Sequence, residues 1–271
     1  MELSREYLLS AVLRVAVALV FAFLFLPIVV ILVASLSGEQ YIIRIPPTSI
    51  SLRWFLEAFD RYWMEPLQLS LVIGIVSVIL VLPISVLASF SLARYEFKGK
   101  QITSSAIYSP ITLPAIVVGA AMLQFFTLAL GLRGSFTTLL IGHTIVVAPY
   151  VVQYVIVSLQ QHRIRNLEWA AMNLGAGRAE VFWKVTFPLI KPGIFAGATF
   201  GFITSFNNIP VSLFLIRPGM VTIPIKIIQY LEYGYSPVLA AVCVVTLFIV
   251  AVAIAISERV GQFTKFLQVQ F

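Results

Sequence analysis

The sequence predicts an all-α integral membrane protein whose six spanning helices form a single transmembrane domain over residues 1–271. Three observations support this fold class: the composition, the length of the uncharged segments and the placement of the basic residues. Hydrophobic residues make up 60% of the chain and charged residues 11%, whereas soluble domains carry about 25% charged residues. The chain therefore has too little polar surface for a water-soluble domain.

Six segments without Asp, Glu, Lys or Arg are each longer than the roughly 20 residues with which a helix crosses the bilayer core. They do not alternate between apolar and polar residues, as the strands of a membrane barrel do. Helices, by contrast, satisfy all of their backbone hydrogen bonds within the lipid. The predicted spans are residues 12–36, 66–93, 103–130, 136–160, 192–215 and 236–257.

Several of these elements carry local signals. The first span is longer than the apolar stretch of a cleaved signal peptide, which is about 7–15 residues, and we expect it to be retained. After it, Ser51 is expected to cap a short amphipathic helix on the outer membrane surface. Pro110 and Pro114 in the third span and Pro210 in the fifth are candidate bend points, because proline removes a helix hydrogen bond.

The basic residues predict the orientation. If the N-terminus is cytoplasmic, 12 of the 18 Lys and Arg residues lie on the inner side and 6 on the outer side. Positively charged loops remain in the cytoplasm, so an N-in/C-in topology is predicted. The net charge of +7 is then explained by topology and by contact with membrane lipid, and no nucleic-acid partner is expected.

The longest inner segment, residues 163–191, predicts a helical hairpin between the fourth and fifth spans. Two short helices, at about residues 166–174 and 178–186, are separated by a Gly-Ala-Gly break, and Pro188 is expected to end the second helix. The small residues and basic flanks of this hairpin suit docking on another protein. Composition alone leaves open a solvated loop that lies on the membrane surface.

The same segment resembles the cytoplasmic signature of permease subunits of binding-protein-dependent ABC importers. That signature reads Glu-Ala-Ala, three residues, glycine, nine residues, isoleucine, one residue and Leu-Pro. Trp169 occupies the glutamate position, and the nearby acid, Glu168, comes one residue early. The residues that match the signature in identity or apolar character are Ala170, Ala171, Gly175, Val185, Phe187 and Pro188.

The resemblance implies a six-helix ABC importer permease of the type I fold, in which this hairpin is the coupling loop. It also implies three partners: an ATPase subunit dimer, a second homologous permease subunit and an extracytoplasmic solute-binding protein, assembled at the bacterial inner (plasma) membrane. No cofactor is expected in this chain, because ATP and Mg would be bound by the partner ATPase. The implied ATPase-coupling residues are Glu168, Trp169, Ala170, Ala171, Leu174, Gly175, Ala176 and Pro188.

Two further stretches, residues 51–59 and 205–226, are similar to the polyamine (spermidine/putrescine) subgroup of these permeases. Polyamine-type permeases often carry acidic residues after Ser-Phe, where this chain has Asn207 and Asn208. No Asp or Glu lies in any predicted span. The expected solute is therefore a polyamine or another small polar compound, amino-acid-like or opine-like.

Polar side chains within the spans mark a candidate solute path. Gln124, His143 and Asn207 are each expected about 9–12 Å below the outer surface, given the rise of a helix per residue. Such groups are costly in lipid and tend to face a cavity or a partner helix, so interhelical hydrogen bonding without solute contact remains an alternative. The candidate path residues are Gln124, His143, Ser205, Asn207 and Asn208.

Two other functional classes fit less well. A secondary carrier or channel of six helices would be expected to show inverted repeats or intramembrane charge, and neither is visible. An intramembrane enzyme needs a nucleophile and base or a set of metal ligands, but His143 has no acidic companion and Cys243 is the only cysteine. The Gly99-Lys100 pair lacks the first glycine of a phosphate-binding loop. No catalytic residue and no metal site are therefore predicted.

Overall fold

The computed structural model describes residues 2–39, 46–232 and 234–261, and most of these residues are helical. Over these ranges the chain forms no β-strand, only isolated bridges that join Ser37 to Ile50 and Arg217 to Met220. The predicted all-α class is therefore confirmed. The helices are α1 (Glu2–Ser35), α2 (Arg53–Ala58), α3 (Arg61–Arg94), α4 (Lys100–Thr112), α5 (Ala115–Gln124), α6 (Phe136–Leu159), α7 (His162–Asn173), α8 (Arg178–Val181), α9 (Phe187–Phe206), α10 (Ile209–Leu215), α11 (Ile223–Leu231) and α12 (Pro237–Gly261).

Several of these helices are suited to crossing a membrane. A further candidate is the pair α4 and α5, which is bent by 110° and whose second helix continues into a π turn at Phe125–Ala129. By length and composition, the described residues therefore contain five candidate spans, or six when the bent pair is counted as one span. The segments that are long and apolar enough to cross are Ser10–Ser35, Arg61–Arg94, Phe136–Leu159, Arg178–Phe206 and Pro237–Arg259.

The predicted third span, residues 103–130, is a broken helix. The backbone at Leu113 is extended, with φ −89° and ψ 149°, because the ring of Pro114 clashes with a helical conformation of the preceding residue. The bend expected at Pro114 is confirmed, whereas Pro110, the other expected bend point, lies inside α4. Its size of 110° separates α4 from α5, so a single continuous helix was the wrong description of this span.

The predicted fifth span, residues 192–215, is interrupted near its outer end. Helix α9 ends at Phe206, and α10 begins at Ile209 with Pro210 in its first turn. Proline is favoured there because a backbone N–H in the first turn has no acceptor within the helix, so its absence costs nothing. The bend expected at Pro210 is therefore a helix break, and it displaces Asn207 and Asn208 from regular helix.

The cytoplasmic end of the same span corrects a second expectation. The chain is helical without interruption from Arg178 to Phe206, so the expectation that Pro188 ends a separate helix was wrong. A π turn at Phe182–Thr186 immediately precedes this proline. We attribute the continuity to that wider turn, which makes room for the proline ring and changes the hydrogen-bond register around its missing amide.

The described residues fall into two compact units, one within residues 2–64 and 229–248 and the other within residues 65–228 and 249–261. In the first unit the Trp54 indole donates a 2.6 Å hydrogen bond to the carbonyl of Ser37. The predicted short helix is present as α2, but its N-cap residue is Leu52, so the expectation that Ser51 caps it was wrong. The hydroxyl of Ser51 accepts a 3.3 Å hydrogen bond from the amide of Arg53, the first residue of α2. The span of α1 is exposed over most of its length, and only its end, at Ala34 and Ser35, is buried.

The core of the second unit is the close packing of α6 against α9. A Cβ atom added at Gly197 would lie 3.0 Å from Cα of Val151, and one at Gly201 would lie 2.6 Å from Val147. Glycine is therefore required for the helices to approach this closely, as in other small-xxx-small interfaces in membranes. Gly193 continues the same four-residue repeat.

Candidate functional site

The coupling hairpin consists of α7, the Gly-rich turn and α8 with its π turn, residues 162–186. The turn depends on Gly175, whose φ of +92° is left-handed and strains any residue with a Cβ. The amide of Ala176 donates a 3.1 Å hydrogen bond to the carbonyl of Ala171, and the amide of Leu174 donates one of 3.1 Å to Ala170. These bonds satisfy the last carbonyls of α7 in a Schellman-type ending, so the predicted break at this glycine is confirmed.

The coupling hairpin carries large apolar side chains that are exposed in the part of the chain that the structure describes. Leu174 is 90% exposed and Trp169 is 51% exposed. Met172 and Trp183 are exposed as well, and the sequence reading above assigned neither to the interface. Contiguous exposed apolar surface marks interaction sites, so this face, which we call the apex, is a candidate docking surface.

The inner side of α7 is buried. Ile164 packs into an apolar cluster with Val151, Val155 and Ile190, and Glu168 lies one turn further along the same face. Residues four positions apart share one side of a helix, which explains why the acid at position 168 turns inward. Trp169 therefore turns outward, where the guanidinium of Arg165 lies 4.8 Å from its ring centroid.

Glu168 is bonded within the chain. Its Oε1 accepts a 2.7 Å hydrogen bond from the hydroxyl of Thr186, and its Oε2 lies 3.0 Å from Nη2 of Arg94. Neither Arg94 nor Thr186 was identified from the sequence, because one ends α3 and the other ends the π turn. Ala170 and Pro188 are exposed, and Ala171 and Ala176 are half-buried, so the remaining predicted coupling residues lie at or near the surface.

The polar layer, our name for Gln124, His143, Ser205, Asn207 and Asn208, is only partly brought together. His143 is 1% exposed, and its Nδ1 lies 2.7 Å from the hydroxyl of Ser205. Its Nε2 lies 3.1 Å from the hydroxyl of Ser212, a residue missing from the predicted set. Both ring nitrogens are thus bonded within the subunit, and they join α6 to α9 and α10.

The amides of the polar layer have different environments. Asn208 caps α10, because its Oδ1 accepts a 2.9 Å hydrogen bond from the amide of Val211. Gln124, at the end of α5, and Asn207, at the break after α9, are exposed. Neither of these two side chains forms a hydrogen bond in the described ranges. The role of the polar layer in solute transfer stays a prediction.

Comparisons with known proteins agree on the kind of molecule. The sequence profile of the family described as "Binding-protein-dependent transport system inner membrane component" matches residues 82–260. The spermidine/putrescine transport system permease protein PotC of Escherichia coli strain K12 is 28% identical over 244 residues, which cover 90% of this chain and 91% of PotC. The sulfoquinovosyl glycerol transport system permease protein SmoH of Agrobacterium fabrum is 31% identical over 246 residues, 86% of this chain and 85% of SmoH.

One solved structure supports the fold. A chain of a bacterial ABC transporter involved in the import of the acidic polysaccharide alginate, known from a crystal structure, superposes with a TM-score of 0.62 at 19% identity. The match covers 94% of this chain and 96% of that chain. This similarity concerns the fold alone, and it confirms the predicted importer-permease architecture.

Proposed function

The chain belongs to the family of binding-protein-dependent transport system inner membrane components, and on that premise we propose that it forms, with a second permease subunit, the path of a small polar solute into the cell. It is a multi-pass inner-membrane permease and not an enzyme. In the proposed complex a pair of ATPase subunits binds and hydrolyses ATP with Mg, and an extracytoplasmic binding protein delivers the solute.

The observation that carries this proposal is the apex of the coupling hairpin. Trp169 and Leu174 are exposed on a hairpin whose inner face is anchored by Ile164 and Glu168. Removing large apolar side chains from water is favourable. Their exposure on this turn therefore indicates a surface that a partner covers. The proposed partner is the ATPase subunit, which would move the hairpin as its own nucleotide state changes.

For the solute we propose a polyamine first, because the similar permeases include the spermidine/putrescine protein PotC and the putrescine transport system permease protein PotI of Escherichia coli strain K12, 27% identical over 241 residues. Amino-acid-like and opine-like compounds remain alternatives. Asn207 and Asn208 cannot neutralise a cation, so acidic groups for a polyamine would have to come from the second permease.

Reconstitution tests the function. The permease is incorporated into proteoliposomes with its second permease, its ATPase and its binding protein, and uptake of radiolabelled solutes is measured with and without ATP. We expect uptake that requires both ATP and the binding protein, highest for spermidine or putrescine. Uptake by the purified chain alone, driven by an ion gradient, would establish a secondary carrier instead.

Cysteine labelling tests the proposed N-in/C-in orientation. In a Cys243→Ala background, single cysteines are placed by Leu174→Cys and by Arg133→Cys and treated with a membrane-impermeant maleimide in intact spheroplasts. We expect labelling at position 133 at once and at position 174 only after permeabilisation. The reverse pattern would refute the orientation derived from the basic residues.

A further inference from the structure

A buried carboxylate lies where three elements of the second unit meet. Glu168 belongs to α7, Arg94 is the last residue of α3, and Thr186 ends the π turn that leads into α9. Glu168 is 8% exposed and Thr186 is 1% exposed. The carboxylate accepts the hydroxyl of Thr186 at 2.7 Å and lies 3.0 Å from the guanidinium of Arg94. We call these three residues the clamp.

The charge balance of the clamp depends on Glu168. Nε and Nη2 of Arg94 are buried and have no aligned hydrogen-bond acceptor in the described ranges. Arginine does not deprotonate in proteins, so its charge needs a close anion. A buried ion pair contributes little net stability, yet loss of one partner leaves an uncompensated charge. The pair is therefore better explained by a positional role than by stability alone.

The clamp borders a cleft that is open to the outside. A cavity of about 550 Å³ lies between the end of α3 and the coupling hairpin. Its lining includes Phe90, Arg94, Glu168, Met172, Phe182 and Thr186. Apolar contacts also hold α3 to the hairpin: Phe90 meets Phe182 edge to face, with ring centroids 5.6 Å apart, and Ile164 lies in the same apolar cluster as Val81 of α3. Apolar contacts have no fixed direction, whereas the ion pair and the hydrogen bond of the clamp join particular atoms of the three elements.

We propose that Glu168 is a positioning residue that transmits displacement of the coupling hairpin to α3 and α9. The proposal rests on the proposed function, because the displacement is supplied by the ATPase. When α7 moves, its carboxylate carries the ion-paired Arg94 at the end of α3 and the hydrogen-bonded Thr186 at the end of the π turn that leads into α9. Trp169 and Glu168 thus have separate roles, the first on the outer face of the hairpin and the second on the inner face.

The test separates docking from transmission in the reconstituted complex. Glu168→Gln keeps the size of the side chain and an acceptor for Thr186, but it removes the charge that faces Arg94. We expect the ATPase to co-purify as with the wild-type chain and the solute transported per ATP to fall roughly tenfold, within the usual range of coupling between sites. The matched control is Glu180→Gln, because Glu180 is an exposed carboxylate bonded to Lys184 on the surface.

A charge exchange supplies a readout that a purely structural role would not move. The double variant Glu168→Arg with Arg94→Glu restores the pair in reverse and is expected to recover most of the transport per ATP. Thr186→Val, which removes one bond and retains the pair, is expected to have an intermediate effect.

Two results would overturn the clamp: wild-type transport per ATP in Glu168→Gln, or loss of ATPase co-purification in Glu168→Gln to the same extent as uptake. Failure of the proposed function would look different. It would appear already in the wild-type complex, as uptake that is independent of ATP.

Discussion

The coupling hairpin and the polar layer differ in how their predicted residues are satisfied. In the hairpin, Leu174 is a large apolar side chain that is almost fully exposed. In the polar layer, His143 is buried and both of its ring nitrogens are bonded to serines. An exposed apolar side chain indicates an external partner, whereas a buried polar side chain that is fully bonded already has its partners. The structural support for function is therefore stronger in the hairpin.

The largest expected effect tests the external partner. Leu174→Asp places a charge on the apex and is expected to lower ATP-driven uptake by at least about tenfold, as loss of an interface hot spot does. The thermal midpoint of the isolated subunit should not change, because the side chain is 90% exposed. Uptake and co-purification of the ATPase are measured together.

The matched control for this variant is Lys184→Ala, on the exposed side of the same hairpin. It should leave uptake and co-purification unchanged. If Leu174→Asp also retained the ATPase and full uptake, the apex would not be the docking surface.

The next effect tests the internal network. His143→Ala leaves the hydroxyls of Ser205 and Ser212 without their buried partner and is expected to lower the free energy of unfolding by about 2 kcal/mol. Thermal unfolding of the purified subunit in detergent measures this. Thr144→Ala on the same helix removes a hydroxyl that bonds only to the carbonyl of Leu140, so a smaller shift is expected. Equal shifts for the two variants would argue against a structural network around the histidine.

Asn207→Ala distinguishes solute contact from stability. The side-chain amide of Asn207 is exposed and forms no hydrogen bond in the described ranges. The variant should therefore unfold at the wild-type temperature. If the amide contacts solute, the initial rate of uptake should fall about fivefold, the effect of one hydrogen bond worth about 1 kcal/mol. Unchanged uptake would remove Asn207 from the predicted path.

The smallest effect concerns the neighbouring amide. Asn208→Ala removes the cap of α10 and is expected to lower the free energy of unfolding by about 1 kcal/mol. Asn208→Ser, which can accept the same hydrogen bond from Val211, should recover most of that loss. A shift in uptake without a shift in thermal stability would indicate solute contact at position 208 rather than capping.

The spans and the site were predictable to different degrees. Uncharged length predicted the spanning segments, because the lipid excludes charge over a known thickness. The glycine at 175 was predictable from local backbone chemistry and from spacing. The sequence could not identify three other residues of these sites, because each is recognised only by its contact with a residue that is distant in the chain. They are Ser212, Arg94 and Thr186. The glycine repeat at 193, 197 and 201 was visible in the sequence and would have predicted the close packing of α9.

The sequence by itself determined the membrane class, the family and the position of the hairpin, because these follow from composition, segment length and local turn geometry. The tertiary structure alone decided which faces of those helices are covered. It turned Glu168 inward and Trp169 outward, and it placed two serines beside His143. The physical reason is that burial and hydrogen-bond partners depend on contacts between segments that are far apart in the chain, which no local pattern specifies.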